Sequence, residues 1–553
     1  MNAFLLYRDR EWAGNAKYFD SKAIVQDLGL KTLYMNAGKD VEFEGGAVKK
    51  IKDQDPFISD AMSRVMMVPL VNKDEILYRQ KILKDCLENE DIIKDLYKAL
   101  TMIVAEWDKL GRKAGSGYSA RSDNAGWAVT QIHLTTLFAS GLKKLKNILK
   151  GSMIRFNSEG LKNLAKRLSE EFSDEYESRI DKLLRDVAFY VKESEDKDGA
   201  IYVYVPRLSF KGRIGAGLKL KDLKVHDVGS GQIRYRNPKS TISKIIDFKK
   251  SLIANSFSTK MTPIIEKQIV ELEQNTINYV MSFTGAFLDR FSGFFDQMLF
   301  QTAFYRGAVN LSHHMKRIEI DYCFPVVCEN ERLAFSDLKE FVMCMEQRVN
   351  AVGNTCNIRD KNLVIITGAN QGGKSTFLRS VGIAQVMMQA GLQVAAESFS
   401  SGLFTSIFTH FTRREDSAMN SGRLDEELGR MNTIIDHLDD ASLILLNESF
   451  ATTTEIDGSI IAYDIIKALN EAGVKIITVT HLLSFARKMY AESKAKEDKQ
   501  EHSDITFFCA ERKEDGTRTF KMIQSVPELT SFGLDLYSEV IGKPVIFEDR
   551  SVV

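Results

Sequence analysis

Proline is scarce in this chain, eight in 553 residues, and its placing matters more than its number. None falls between Pro69 and Pro206, or between Pro263 and Pro325. Stretches that long without a helix breaker exclude frequent interruptions and leave room for long helices. Cysteine is equally thin: Cys86, Cys323, Cys328, Cys344, Cys356 and Cys509 are scattered, with no C-x-x-C pair. That excludes a disulfide framework, and the six read as reduced thiols in a reducing compartment. Long apolar runs are lacking, so no membrane span is expected. The opening, MNAFLLYRDREW, holds only the short apolar group Ala3 to Tyr7 before Arg8, too little for a signal peptide. The cytoplasm is the expected compartment. Net charge is missing as well, since 75 basic and 75 acidic residues cancel. Global charge therefore neither supports nor excludes nucleic acid, and only a local basic patch could supply the attraction.

What is present is 44% hydrophobic and 27% charged, the balance of a soluble globular chain. A chain of 553 residues is too long for one core and implies roughly two to four domains. Residues 1–55 mix short apolar groups with turn signals such as Asn36-Ala37-Gly38 and read as a cap segment. Residues 56–320 read as an all-α core with long helices and projecting arms. In 74–100, Ile76, Leu83, Cys86 and Leu87 share a helical face. Within the arms, about 197–240 alternates apolar and polar residues with Gly and Pro punctuation, which predicts a small β insert. Basic residues gather there: Arg207, Lys211, Arg213, Lys219, Lys221 and Lys224, with Tyr202, Tyr204 and Phe210 between. This pattern suits phosphate-backbone contact with DNA, and equally a solvated charged face. Lys143, Lys144, Lys146, Lys150 and Arg155 form a second such cluster.

From 321 to 553 strands and helices alternate, the pattern of an α/β domain. Leu363 to Ile366 reads as a buried strand. Gly368, Gly373, Lys374 and Ser375 follow at the spacing G-x-x-x-x-G-K-[ST], and an amphipathic helix begins. A glycine-rich loop between strand and helix turns backbone N–H groups inward onto phosphates. The helix start adds its positive end, Lys374 reaches the β- and γ-phosphates, and the Ser375 hydroxyl ligates Mg²⁺. The stretch 391–399 predicts a strand leading to Glu397. Ser421 and Gly422 precede a helix with Leu428, Met431, Ile434, Ile435 and Leu438 on one face. Leu443 to Leu446 is a further apolar strand, ending at Asn447 and Glu448. Glu448 is placed to polarise an attacking water, while Asn447 offers hydrogen bonds without charge. Asp457 follows a threonine-rich loop. Another strand ends at Thr480-His481, where an imidazole can sense a γ-phosphate or sit as a satisfied core group. A hairpin is expected around Asp515-Gly516.

Taken together, TGANQGGKST, the helix led by Ser421-Gly422-Arg423, SLILLNESFATTTEIDG and VTHLL resemble the ATPase domain of the MutS family, one of the ABC-type ATPases. VGNTCNI (352–358), QVAAESFSSGLFTSIFTHF (393–411) and SFGLDLYSEVIG (531–542) extend the resemblance, and 63–96 resembles the start of the family's helical core. The resemblance covers roughly residues 60–545. It implies a P-loop ABC-type ATPase domain beside an all-α core and lever region, using ATP and Mg²⁺. Asn354, Gly368, Asn370, Gly372, Gly373, Lys374, Ser375 and Thr376 would bind ATP. Ser375, with Asn447 behind it, would serve the metal, and Glu448 and His481 would be catalytic. Ser421 and Gly422 would act in trans on a partner's nucleotide within a homodimer clasping DNA. Asn447 stands where the family has aspartate, and Phe450-Ala451-Thr452 where it has G-R-G; both bear on hydrolysis more than on binding. Only about 55 residues precede the helical core, with no F-x-E wedge, so a short form without mismatch-reading and connector domains is expected, and no nuclease-like tail. The expected function is ATP-gated DNA binding in or near mismatch repair. The alternatives are a clamp on branched DNA or a ribosome, and an ATP-binding scaffold that does not hydrolyse.

Overall fold

The computed structural model describes residues 4–9, 18–45, 47–115, 124–190, 193–195, 201–209, 219–227, 263–328, 333–412, 422–439, 441–513 and 517–527. The chain divides into two compact units. Residues 91–156 and 161–302 belong to one, and 4–90, 157–160 and 303–553 to the other.

The unit that carries the glycine-rich loop opens with α1 (Ser21–Asp27), α2 (Leu30–Ala37) and a hairpin of β1 (Val41–Glu44) and β2 (Ala47–Ile51). α3 (Pro56–Met66) has proline at its start behind an Asp55 cap, where the missing N–H costs nothing. α4 (Lys73–Glu88) is capped by Asn72, whose side chain accepts from the Asp74 and Glu75 N–H groups. Of the face expected here, Ile76, Leu83 and Cys86 are buried and Leu87 is half-buried. Arg79 is buried as well. Its guanidinium donates to Leu6 O at 2.8 Å and Ala390 O at 3.2 Å, and lies 5.0 Å over the Tyr7 ring.

The other unit is mainly helical: α5 (Glu90–Gly115), α6 (Asn124–Ser152), α7 (Glu159–Glu171) and α8 (Asp174–Tyr190). Its core is aromatic. Phe138 meets Trp107 edge-on at 5.2 Å between centroids and Phe295 at 4.8 Å. Three of the five residues of the second basic cluster form ion pairs within the fold, while Lys144 and Lys150 are exposed. Lys143 pairs with Asp181 at 2.7 Å, Lys146 with Asp174 and Glu177, and Arg155 with Asp91 at 2.9 Å. β3 (Glu193–Glu195), β4 (Ile201–Ser209) and β5 (Lys219–Asp227) form an antiparallel sheet, so the β insert starts slightly before the expected 197. Arg207 stands opposite Asp222, Lys219 opposite Ser209 and Lys224 opposite Val205, with Lys221 in the same strand. Lys211, Arg213 and residues 228–240 lie outside the described residues. α9 (Pro263–Arg317) runs for 55 residues, and from Ala303 onward it belongs to the unit with the glycine-rich loop.

That unit continues with β6 (Val326–Val327), β7 (Leu333–Leu338), α10 (Phe341–Gln347), β8 (Asn354–Ile358), β9 (Leu363–Thr367), α11 (Lys374–Gln389), β10 (Ser398–Ser401), β11 (Ser406–Phe411) and α12 (Arg423–Ile435). It closes with β12 (Ser442–Asn447), α13 (Glu455–Glu471), β13 (Lys475–Val479), α14 (Leu483–Asp498), β14 (Ile505–Arg512) and β15 (Arg518–Gln524). The main sheet has the order β11-β12-β13-β9-β14-β15. All its pairings are parallel except β14 with β15. β9 and β13 are buried along their whole length, as parallel strands covered on both faces must be. Register then positions the site. Asn447 is level with Val479, and Val479 with Ile366. β12, β13 and β9 therefore end side by side, and whatever follows each strand arrives at one place.

Two expectations are corrected here. Residues 391–399 are not one strand: Gly391 leaves α11 at φ +79°, Val394 makes a single bridge to Cys323, and pairing resumes at Ser398. The N–H groups of Val394, Ala396 and Glu397 go to Cys323 O, Val394 O and Ser336 O, three acceptors on no common ladder. On α12 the buried face is Glu427, Met431 and Ile434, while Leu428 and Ile435 are exposed. The helix is turned because the Glu427 carboxylate accepts the Phe450 N–H at 3.0 Å.

The far end of α11 is held by polar groups. Gln389 Nε2 donates to Phe404 O at 2.7 Å and Leu70 O at 3.2 Å, and Leu70 N donates back to Gln389 O at 3.1 Å. Just beyond the helix, Gln393 Nε2 donates to Ala308 O of α9 at 3.0 Å. Arg79 takes the Ala390 carbonyl.

Candidate functional site

The loop between β9 and α11 needs glycine at two points. Gly368 has φ +118°, and a Cβ there would meet Ala510 N of β14 at 2.9 Å. Gly373, at φ +91°, is the cap residue from which α11 starts. Lys374 is buried, and its Nζ donates to Gly368 O and Ala369 O, both at 2.8 Å. The ammonium is thus fixed inside the loop's own curve. Ser375 Oγ donates to Asn447 Oδ1 at 2.8 Å, which joins the start of α11 to the end of β12.

Glu448 follows β12 in the left-handed region, φ +57°. For glutamate that backbone costs about 1–3 kcal/mol and persists only where the surroundings enforce it. Here Glu448 N donates to Val479 O at 2.9 Å, and Thr412 Oγ1 donates to Glu448 O at 2.7 Å. The carboxylate faces His481 Nε2 at 3.3 Å. Hydrogen bonding from His481, helped by the charges of His481 and Lys374, holds the Glu448 carboxyl below its ordinary range despite partial burial. Glu448 is therefore a fixed anion near neutral pH, suited to orienting water.

Asn370, Gly372, Gly373, Lys374, Ser375, Thr376, Glu448 and His481 line one cavity of about 530 Å³, the size of a ligand pocket. Asn354 also lines it, but its carboxamide is spent elsewhere. Its Nδ2 donates to Phe520 O at 3.3 Å, and its Oδ1 accepts from Met522 N at 2.7 Å, which ties β8 to β15. The cavity also has an apolar lining, from Met343, Val349, Val352 and Phe520. Phe520 sits at φ +61° with 47% exposure. No motif pointed to it. Arg518 Nη1 donates to Gln371 Oε1 at 3.0 Å, fastening β15 to the glycine loop.

Behind Glu448 lies a polar group that motif reading also missed. Glu427 Oε2 accepts from Phe450 N and from Thr452 Oγ1 at 3.1 Å. Burial raises its pKa. His410 stands between Ser449 Oγ at 2.7 Å and Glu427 O at 3.1 Å. Asp457 is in the first turn of α13, where Thr454 caps it, and so has a local structural partner. Gly422 is the exposed cap of α12; Ser421 and Asp515-Gly516 lie outside the described residues. None of the six cysteines is in a disulfide. Among the described residues no helix is long and apolar enough to cross a membrane.

The resemblance implies a divalent ion beside Ser375. Among the described residues no three His, Cys, Asp or Glu side chains are placed to hold a metal, and Glu448 is the one acid lining the cavity. Ser375 gives its proton to Asn447, which leaves the hydroxyl lone pairs free. These residues fit an ion that arrives on phosphates and takes Ser375 Oγ as a ligand, rather than one held by protein carboxylates.

Comparison with known proteins agrees with this layout. Residues 364–550 match the family model of MutS domain V, and residues 71–194 match that of the MutS2 N-terminal domain. The DNA mismatch repair protein MutS of Synechococcus elongatus is 23% identical over 443 residues, 76% of this chain and 48% of that protein. MutS of Chlorobaculum parvum is 22% identical over 511 residues, 85% of this chain and 55% of that protein. The DNA mismatch repair protein MSH3 of Candida albicans is 27% identical over 259 residues, 44% of this chain and 25% of that protein. The chain spans about half the length of the first two. Two matched stretches, in a chain made of a mixed α/β unit and a mainly helical unit, make it a distant relative of the MutS proteins.

Proposed function

We propose that the chain is an ATP-binding and ATP-hydrolysing protein of the MutS type, with a P-loop of the ABC class, whose nucleotide state gates its hold on DNA. The observation that carries this is one cavity containing the loop-bound ammonium of Lys374, the Ser375 hydroxyl and the Glu448–His481 pair. Loop N–H groups and the start of α11 take the phosphates, Lys374 neutralises them, and Glu448 orients the attacking water while His481 holds the carboxylate in place. Mg²⁺, when bound, would supply charge neutralisation at the β- and γ-phosphates beside Ser375.

Among the apolar lining residues, Phe520 would offer the nucleobase a flat face. Base–aromatic stacking is worth about 1–3 kcal/mol. Phe520→Ala should weaken ATP roughly tenfold and leave inorganic triphosphate unchanged. Equal losses for both ligands, measured by calorimetry, would remove Phe520 from the base site.

A dimer is the second part of the proposal, with Ser421 and Gly422 facing a partner's nucleotide. The exposed Ile456 and Ile460 of α13, at 69% and 56% exposure, support it as apolar surface near the site. DNA is the third part. It draws on the names of the relatives and on the basic strands carrying Arg207, Lys219, Lys221 and Lys224. Contact through phosphates is sequence-blind and salt-dependent. Duplex or branched DNA should therefore bind with an affinity that falls steeply with salt and favours a mismatch by less than about tenfold. Reversing Lys219, Lys221 and Lys224 to glutamate should weaken it on every sequence. Gel shifts at low salt test this: no binding with or without ATP, or a strong mismatch preference that survives the reversals, refutes it. Asn447 favours one other reading, a nucleotide-binding scaffold that does not hydrolyse, and turnover with and without DNA separates the two.

A further inference from the structure

We propose that this site binds its nucleoside triphosphate with little dependence on a divalent cation, and that Asn447 makes it so. The inference rests on the nucleotide reading above. A triphosphate gripped as a metal complex is normally met by a carboxylate beside the metal, and that carboxylate is tolerable only while the cation screens it from the phosphates. Position 447 instead presents a carboxamide, whose oxygen already accepts from Ser375 Oγ at 2.8 Å. It brings a dipole and no charge. Glu448, the one acid lining the cavity among the described residues, is engaged by His481 at 3.3 Å. Against it stand the Lys374 ammonium, curled into the loop by two carbonyls at 2.8 Å, and the N-terminal end of the 16-residue α11. The electrostatics of the phosphate end therefore favour a bare polyanion. An aspartate at 447 would place a second acid beside Ser375. Repulsion between like charges a few ångströms apart in a half-buried site is worth more than about tenfold in affinity.

Calorimetry of the full chain with ATP tests this, in excess EDTA and in excess Mg²⁺. The parent's Kd should differ by less than about fivefold between the two conditions. Asn447→Asp should widen that ratio at least fivefold, through weaker binding in EDTA. Asn447→Ser, which is also uncharged, should keep the parent's indifference and stands in if the aspartate variant does not fold. A parent that binds in Mg²⁺ and loses fivefold or more in EDTA overturns the inference and leaves the nucleotide site intact. A ratio unchanged by Asn447→Asp overturns the role of Asn447. Failure to bind ATP in either condition removes the nucleotide reading and this inference with it.

Discussion

Lys374→Ala is expected to weaken ATP binding by about a hundredfold or more, close to 3 kcal/mol, the scale of lost charge-assisted hydrogen bonds. Two effects act together. The ammonium is the positive side chain at the centre of the loop, and its two bonds to Gly368 O and Ala369 O also hold the loop's curve. Thermal stability measured beside affinity separates them, in Lys374→Ala and in Lys374→Met, which keeps the stem but loses both the charge and the two hydrogen bonds. If charge dominates, methionine and alanine lose nucleotide alike. If loop shape dominates, the loss follows the thermal stability of each variant. Calorimetry with Mg-ATP reads the outcome, and an affinity unchanged in Lys374→Ala would sink the assignment of this loop to phosphate.

Glu448→Gln should lower turnover by at least about tenfold and leave ATP binding in place, so that the ATP-bound form accumulates. The glutamine keeps the shape and the contact to His481 but not the negative charge. The sign of the pKa shift supports this choice of variant. The carboxyl is held below its ordinary range, so the group is ionised throughout the neutral range. Any stability it contributes is present above the ordinary carboxylate range and is lost as pH falls through the lowered value. Turnover near neutral pH should therefore not titrate with Glu448. Steady-state rates of parent and variant, paired with calorimetry, are the check. Equal turnover would remove Glu448 from the chemistry. Asn447→Asp, by contrast, should keep or raise turnover in Mg²⁺, because it restores a charge beside the metal.

That the glycine loop, Glu448 and His481 meet at one cavity was legible because each is a contiguous motif at the end of an apolar strand. Parallel register then does the assembling, since Ile366, Asn447 and Val479 are level across three strands. Phe520 was not legible, because its place depends on β15 folding back beside β8, a contact between residues 166 apart in Asn354 and Phe520. The α12 face was misjudged for a related reason. Periodicity ranks residues by apolarity, and so it passed over Glu427, which is drawn inward by the Phe450 N–H and the Thr452 hydroxyl. Asn354, carried over as a nucleotide contact, lines the cavity and has both ends of its carboxamide bound to strand backbone, a tie between distant strands that no local motif writes out. Composition gave no hint that Lys143, Lys146 and Arg155 are neutralised by acids of their own unit.

The polar fastening of α11 has a mechanical consequence. Greasy contacts allow a helix to slide, because one methyl group replaces another at small cost. Hydrogen bonds are directional and weaken steeply with misalignment. With Gln389, Gln393 and Arg79 each bonded to a backbone carbonyl, a shift of α11 along its axis would break several buried bonds at once, each dear to leave unmade. The rear of this helix therefore behaves as a pinned joint. A displacement of the helix imposed at Gly373 is thereby coupled to the backbone at Leu70, Phe404 and Ala308 rather than taken up as slip in the packing.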